Sequence, residues 1–221
     1  WNTSAGAGLV AIDNFYGSII NCFLKSTSTT TGYIDTGAIT QKITNCLFLM
    51  PASYNGSCLI SSSSIVANNV FITGNTVGAS CVVITVGNKG KVHGNNIEFG
   101  SSANVDSIAI SSVSNSTISS NFINGGGIGI VVTNGVCVIS NNIITSTRAN
   151  GITLNSTVND CVVSDNMMIN NGQATTNTYY NIQLVGSNNY CIISGNSIRN
   201  SAAKKTNTGI FEGTFCDSNI I

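Results

Sequence analysis

The chain has 221 residues, of which 42% are apolar and only 7% charged, and eight basic residues balance eight acidic ones. That apolar content supports a sizeable core, while a charge content far below the roughly one quarter of ordinary soluble domains leaves amides and hydroxyls to form the surface. Nucleic-acid binding and membrane insertion are not expected: the one basic doublet is Lys204-Lys205, and no apolar run approaches the ~18 residues of a membrane span.

The sequence opens at Trp1 without Met or a signal-peptide pattern and reads as a fragment or processed product, with a single domain over residues 1–221. Sequons at Asn2, Asn55, Asn115 and Asn155 are the chance yield of a chain this rich in Asn, Ser and Thr.

From the N-terminus onward, one phrase recurs at intervals of 20 to 30 residues. An apolar residue is followed three positions later by Asn or Cys, and two later by a second apolar residue. In chain order the phrases are Ile19-Cys22-Leu24, Ile43-Cys46-Phe48, Ile72-Asn75-Val77, Val92-Asn95-Ile97, Ile118-Asn121-Ile123, Ile139-Asn142-Ile144, Val163-Asn166-Met168, Ile193-Asn196-Ile198 and Cys216-Asn219-Ile221. The place two before the Asn is mostly small and polar: Thr44, Thr73, His93, Ser119, Ser140, Ser164 and Ser194. Such alternation predicts short strands on either side of a turn.

A further strand is predicted at 107–111, 127–131, 151–155, 181–185 and 209–213, with Ala109, Gly129, Thr153, Gln183 and Phe211 facing outward. Gly, Asn, Ser and Thr clusters of variable length join the strands. A single coil cannot bury its inner face alone, so coils must stack. The expected fold is all-β, a parallel β-helix solenoid of about nine coils of roughly 25 residues, and at ~4.8 Å per stacked strand it makes a rod on the order of 40 Å long.

With these IxxNxI-type phrases running from about Ile12 to Ile221, and an Asn repeated at a turn, the sequence resembles the right-handed parallel β-helix superfamily. That superfamily includes pectate-lyase-like enzymes and bacteriophage tailspikes. The resemblance implies a buried amide ladder of Asn75, Asn95, Asn121, Asn142, Asn166, Asn196 and Asn219, each bonding to the coils above and below. It also implies a homotrimer, a place on a virion or extracellular surface, and a binding surface in a lateral groove.

Of the eight cysteines, Cys137, Cys161 and Cys191 stand five residues before their Asn and are expected to stack inside, reduced, as small hydrophobes. Cys22 and Cys46 take the Asn place, and Cys58 and Cys81 fall outside the pattern. No CxxC is present to suggest zinc, and no cofactor is implied.

Few residues offer chemistry. Glu98, Asp106, Arg148 and Asp165 are the catalytic candidates, Asp160, Asp217 and Glu212 are further acids, and His93 is a lone candidate base. An Arg base of the pectate-lyase kind would need calcium-binding aspartates beside it, whereas the acids here are scattered one per coil. Asp160 and Asp165 read as turn residues, Glu98 and Arg199 as solvated charges four coils apart, and Glu212 falls on an inward row opposite Leu154 and Leu184. For glycan binding the candidates are Tyr179, Tyr180, Gln183 and Phe211, with Tyr16, Tyr33, Tyr54 and Phe99 as further aromatics.

Three functions compete. One is a fibre segment presenting a neutral polar face to host glycans, another a polysaccharide lyase or glycosidase, and the third a spacer or adhesin passenger without a ligand.

Overall fold

The computed structural model describes residues 2–3, 12–13, 17–26, 34–35, 42–51, 53–55, 57–61, 65–73, 76–78, 81–100, 102–155, 157–175, 178–200, 208–214, 216 and 218–221. Every element among these residues is a short strand, and the strands stack in parallel sheets. No helix long and apolar enough to cross a membrane occurs among them.

Each coil passes through three faces. The first face is an eight-stranded sheet of Ser18–Ile20, Lys42–Thr44, Ile65–Ala67, Lys91–His93, Ser116–Ser119, Cys137–Ser140, Val162–Ser164 and Ile192–Ser194. The second, of nine strands, includes Phe23–Ser26, Leu47–Leu49, Val70–Ile72, Asn96–Glu98, Phe122–Asn124, Ile143–Thr145, Met167–Ile169 and Ser197–Arg199. The third, also of nine, includes Val82–Val86, Ile108–Ser112, Ile128–Val132, Ile152–Leu154, Tyr180–Leu184 and Thr208–Glu212. A small sheet of Ser53–Tyr54, Thr76–Val77 and Ser102–Ala103 lies outside these faces.

Alternation within each short strand supplies the core. On the first face Ile43, Val66, Val92, Ile118, Ile139 and Val163 stack inward and are fully buried, and Phe48, Phe71, Ile97, Ile123, Ile144 and Met168 do the same on the second. The Phe48 and Phe71 rings stack at 4.6 Å. On the third face Ile84, Ile110, Ile130, Ile152 and Ile182 form the inward column.

The turn between the first and second faces explains the recurring phrase. The residue before each Asn or Cys takes a left-handed conformation: Asn21, Asn45, Asn68, Gly94, Ser120, Asn141, Asp165 and Gly195 have φ between 56° and 65°. Asn, Asp and Gly tolerate that region best. The next side chain then turns inward and joins the ladder. Asn121 Oδ1 accepts both the Asn95 backbone N–H (3.0 Å) and Asn95 Nδ2 (2.9 Å), while Asn121 Nδ2 donates to Asn142 Oδ1 (2.9 Å) and to Val92 O (3.1 Å). The same pattern runs from Asn69 through Asn95, Asn121, Asn142 and Asn166 to Asn196. Cys46 ends it by donating its backbone N–H to Asn69 Oδ1 at 2.9 Å.

Two rungs differ from expectation. Asn69, rather than Asn75, is the ladder residue of its coil. The sequence 65–77, "IVANNVFITGNTV", holds two overlapping phrases, and register selects the first, since Val66 pairs with Ile43 below and Val92 above. Ile72 therefore faces outward, at 38% exposure, and Val77 packs from the small sheet. Asn75 itself lies outside the described residues.

The phrase built on Asn219 is not a ninth rung. Ile220 bridges Ile192, which places Asn219 beside Cys191, where its Oδ1 accepts the Cys191 N–H at 2.7 Å. Cys216 is correspondingly not in the inward row; its Sγ donates to Gly186 O. The first-face sheet thus has eight strands among the described residues.

The outward row of the third face is also redrawn. Ser111, Val131, Thr153, Gln183 and Phe211 share one register, in which Ser111, Gln183 and Phe211 are half-buried while Val131 and, against expectation, Thr153 are buried; Ala109 and Gly129 are buried as well. The five-residue strands Val82–Val86 and Ile108–Ser112 have two consecutive buried residues, which breaks strict alternation.

Candidate functional site

Between the second and third faces the chain crosses a corner whose length varies from coil to coil, and there Arg148 is held on both sides by backbone. Arg148 N donates to Gly126 O (2.8 Å), Ala149 N to Gly127 O (2.8 Å), Gln173 N to Thr147 O (3.0 Å) and Ala174 N to Arg148 O (2.9 Å). Beneath the corner, Thr147, Asn171 and Asn181 are completely buried. The Thr147 backbone N–H and hydroxyl both donate to Asn171 Oδ1, at 3.2 and 3.0 Å, and Asn171 Nδ2 donates to Asn181 Oδ1 at 3.1 Å. A network satisfied in this way fixes the loop that carries Arg148.

The outer surface of this corner is a cleft of about 370 Å³ whose lining includes Phe99, Asn124, Gly126, Ser146, Arg148 and Gln173. Gly126 has φ 81°, and a Cβ there would sit 2.9 Å from the Phe99 ring, so no other residue fits without displacing the cleft wall. Arg148 Nε is sealed from solvent with no hydrogen-bond partner among the described residues. The size falls within the range of small-ligand sites, roughly 300–1,000 Å³.

Beyond the corner, on the outside of the third face, the Tyr180 and Phe211 rings stack with centroids 4.4 Å apart and planes inclined by 22°. Gln183 pairs in register with Phe211 and Thr153. Asn150 ties this patch to the Arg148 corner: its Oδ1 accepts the Tyr180 N–H (2.8 Å), and its Nδ2 donates to Thr153 Oγ1 (3.1 Å) and to Gln183 Oε1. Tyr180, Gln183 and Phe211 are thus brought together, with Tyr179 half-buried alongside.

The catalytic candidates are not gathered in this way. Glu98 lies on the outer row of the second face, where its Oε1 accepts from Asn96 Nδ2 at 3.0 Å. Arg199 is in the same row four strands along, roughly 19 Å away at strand spacing. Asp106 is exposed in a turn, its N–H bonded to Asn104 Oδ1. Asp160 (φ 54°) and Asp165 (φ 56°) occupy left-handed turn positions and are exposed. Glu212 keeps its register opposite Leu184 but is exposed, and its Oε1 accepts from Asn219 Nδ2 at 2.6 Å. His93 borders a shallow depression of about 270 Å³ with Lys42, Thr44, Ile65 and Ala67. No three His, Cys, Asp or Glu side chains among the described residues come close enough to share a metal ion.

Tyr54 and Phe99 are core residues, buried at 1% and 9% exposure, and Tyr16 and Tyr33 lie outside the described residues. Asn150, Thr147, Asn171 and Asn181, which build the corner, are not part of any repeat, so periodicity does not mark them. The local signal is the coincidence of "TSTRANG" (145–151) with "INGGG" (123–127) one coil earlier.

The cysteines behave as packing groups. Cys137, Cys161 and Cys191 form an inward column with free, buried thiols, below which Ser116 lies 3.3 Å from Cys137 Sγ and is also bonded to Ser112. Burial pushes the Cys81 thiol up to about 12 and raises Cys137 and Cys46. The hydrogen bond to Cys191, followed by burial, raises Cys161. The Cys58 side chain lies outside the described set.

Stacked parallel sheets, an internal asparagine ladder and a lateral polar surface place the chain in the class of parallel β-solenoids, the β-helices. Compared with known protein families, curated proteins and solved structures, the chain matches none.

Proposed function

We propose that this chain is a segment of a right-handed, tailspike-like β-helical fibre of a virion or cell surface, and that it recognises host glycans with the outer side of its third face. The observation that carries this reading is the Tyr180–Phe211 stack beside Gln183 and Asn150. Aromatic rings accept the C–H faces of sugars and neutral amides pair with their hydroxyls, the usual division of labour in a polar ligand site. A homotrimer is part of the proposal. Its support is the exposed apolar outer row Phe122, Ile143 and Met167 on the second face, a stripe along the rod of the kind that marks association surfaces.

The test is a glycan array probed with protein whose oligomeric state has been fixed by sedimentation, alongside a Tyr180→Ala/Phe211→Ala variant. Binding by the native protein and its loss in the variant, with the ladder intact by circular dichroism, is the expected outcome. Absence of any bound glycan, or equal binding by the variant, removes the recognition reading in favour of a spacer, and a monomer at every concentration removes the trimer.

The second reading, a pectate-lyase-like depolymerase, draws on the Arg148 cleft. The described residues of its lining supply a guanidinium and no carboxylate, so release of reducing ends or unsaturated uronates from polysaccharides is the assay on which it stands.

A further inference from the structure

We infer that Cys22 and Cys46 are a paired dithiol that closes, by exchange with a low-molecular-weight disulfide, into a covalent clamp between the first two rungs of the turn. This clamp is independent of the glycan reading above. From Asn69 to Asn196 six successive coils carry Asn at the inward place of the turn, and in the two coils before them Cys stands there instead. Cys137, Cys161 and Cys191 replace apolar residues in an apolar column, whereas Cys22 and Cys46 replace a polar, bonding one.

Both thiols keep the ladder's geometry. Asn95 Nδ2 donates to Val66 O in the neighbouring coil (2.9 Å) and to His93 O two residues earlier (3.2 Å). Cys46 Sγ donates to the corresponding carbonyls, Ile19 O (3.7 Å) and Thr44 O (3.3 Å), and Cys22 Sγ donates to Ile20 O (3.4 Å). The two residues are successive rungs: Ile20 pairs with Thr44 and Phe23 with Leu47, and Leu47 N donates to Cys22 O at 2.9 Å. Side chains on successive rungs meet head to head, as Asn69 Nδ2 does with Asn95 Oδ1 at 3.0 Å. Paired strands hold their Cα atoms ~4.8 Å apart, inside the roughly 4.4–6.8 Å that a disulfide spans.

The two thiols differ in access in the way exchange requires. Cys22 is exposed and Cys46 is buried, so an external disulfide, RSSR, reaches Cys22 alone. The Cys22 thiolate attacks one sulfur of RSSR, forms a mixed disulfide and expels RS−. The Cys46 thiolate then attacks the Cys22 sulfur, closes the Cys22–Cys46 bond and expels the second RS−. The dithiol gives up two electrons and two protons, and RSSR becomes two RSH. Cys46 needs no access to the reagent, because the sulfur it attacks belongs to the next rung. The bond falls where the amide ladder has ended, beside Ile19 and Leu24, which keep slight exposure while Ile43 and Phe48 of the next coil have none.

The experiment treats the folded whole chain with oxidised glutathione at about pH 8, where a fraction of ordinary thiols is ionised. Free thiols are then blocked, the chain is digested without reductant, and its links are mapped by mass spectrometry. The expected product is a Cys22–Cys46 cross-link, lighter by two hydrogens than the reduced peptides and preceded by a glutathione adduct on Cys22. Cys22→Ser should leave Cys46 unreacted, and Cys46→Ser should stop the reaction at the adduct. Should Cys46→Ser fail to fold, the native chain decides alone. No reaction there, an adduct that accumulates without the cross-link, or a link from Cys22 to Cys58 or any other cysteine overturns the pair, as does reaction of Cys46 in Cys22→Ser. The cross-linked native chain should also unfold at a higher urea concentration than the reduced one, since the closed loop restricts the unfolded chain. An equal or lower midpoint overturns the clamp.

Discussion

A ladder asparagine has four bonding opportunities and no water to meet them. Asn121 uses its side-chain oxygen for two donors from Asn95 and its amide for Asn142 and the Val92 carbonyl, at 2.9 to 3.1 Å. Replacing it with Ala orphans the Asn95 backbone N–H and takes one acceptor from Asn95 Nδ2, removes a donor each from Asn142 Oδ1 and Val92 O, and opens a void in the turn. At ~1–3 kcal/mol for each buried group left unpaired, Asn121→Ala is expected to lower stability by about 3–5 kcal/mol. Urea unfolding measures this, and a loss under ~1 kcal/mol would show that water or a shifted turn replaces the bonds. Asn196→Ala should cost less, because Asn196 is half-exposed and donates to Val163 O and Ser194 O without a further Asn above it among the described residues.

At the scale of the element, the coil is a strand, a left-handed residue, an inward Asn and another strand. Asp165 occupies the left-handed position at φ 56°, which explains an acid where other coils have Asn, Gly or Ser. Asp165→Asn and Asp165→Gly are therefore expected to leave both stability and any glycan binding within error. Asp165→Val, with a branched side chain forced into that region, should cost about 1–2 kcal/mol. If Asp165→Asn abolishes binding or cleavage while melting unchanged, the residue has a chemical role beyond its turn.

The same element shows how far sequence reaches. The inward rows and the ladder were legible because stacking forces the same residue type into the same place in each coil. Asn69 was hidden by its overlap with "ITGN" at 72–75, since local alternation fits both registers and only pairing with Ile43 and Val92 chooses. Gln183 and Phe211 are legible as outward residues of a strand, and Tyr180 only as an aromatic beside it. Ala109 and Gly129 were misplaced because runs of consecutive buried residues, two in Ile108–Ser112 and four in Ile128–Val132, break the period of two. The Arg148 corner was half legible: the Arg stands out in an uncharged chain, but the bonds that make it a fixed group come from loops of unequal length that no periodicity aligns.

Over the whole molecule several buried thiols among the described residues are held protonated by the fold, which follows from using Cys as a core residue. Cys81 has an ordinary value of 9.0 that burial raises to about 12, and Cys46, Cys137 and Cys161 are raised as well. The folded state holds these groups protonated, so the unfolded chain ionises first. Their stabilising contribution is complete below about pH 9 and is lost as pH rises from there through the folded-state value near 12 for Cys81. Between those limits Cys81 lowers the unfolding free energy by about 1.4 kcal/mol per pH unit. Because the coils share one continuous core, the loss is expected as a fall in the global unfolding midpoint. Urea titrations of the native chain and of Cys81→Ala at pH 7, 9, 10 and 11 measure it, with the variant's ionisation of Tyr and Lys cancelling in the difference. The variant starts less stable by the missing side chain, and the gap between the two should narrow by about 1.4 kcal/mol for each unit above pH 9. A gap that stays constant to pH 11 would mean that Cys81 is not held neutral by the fold.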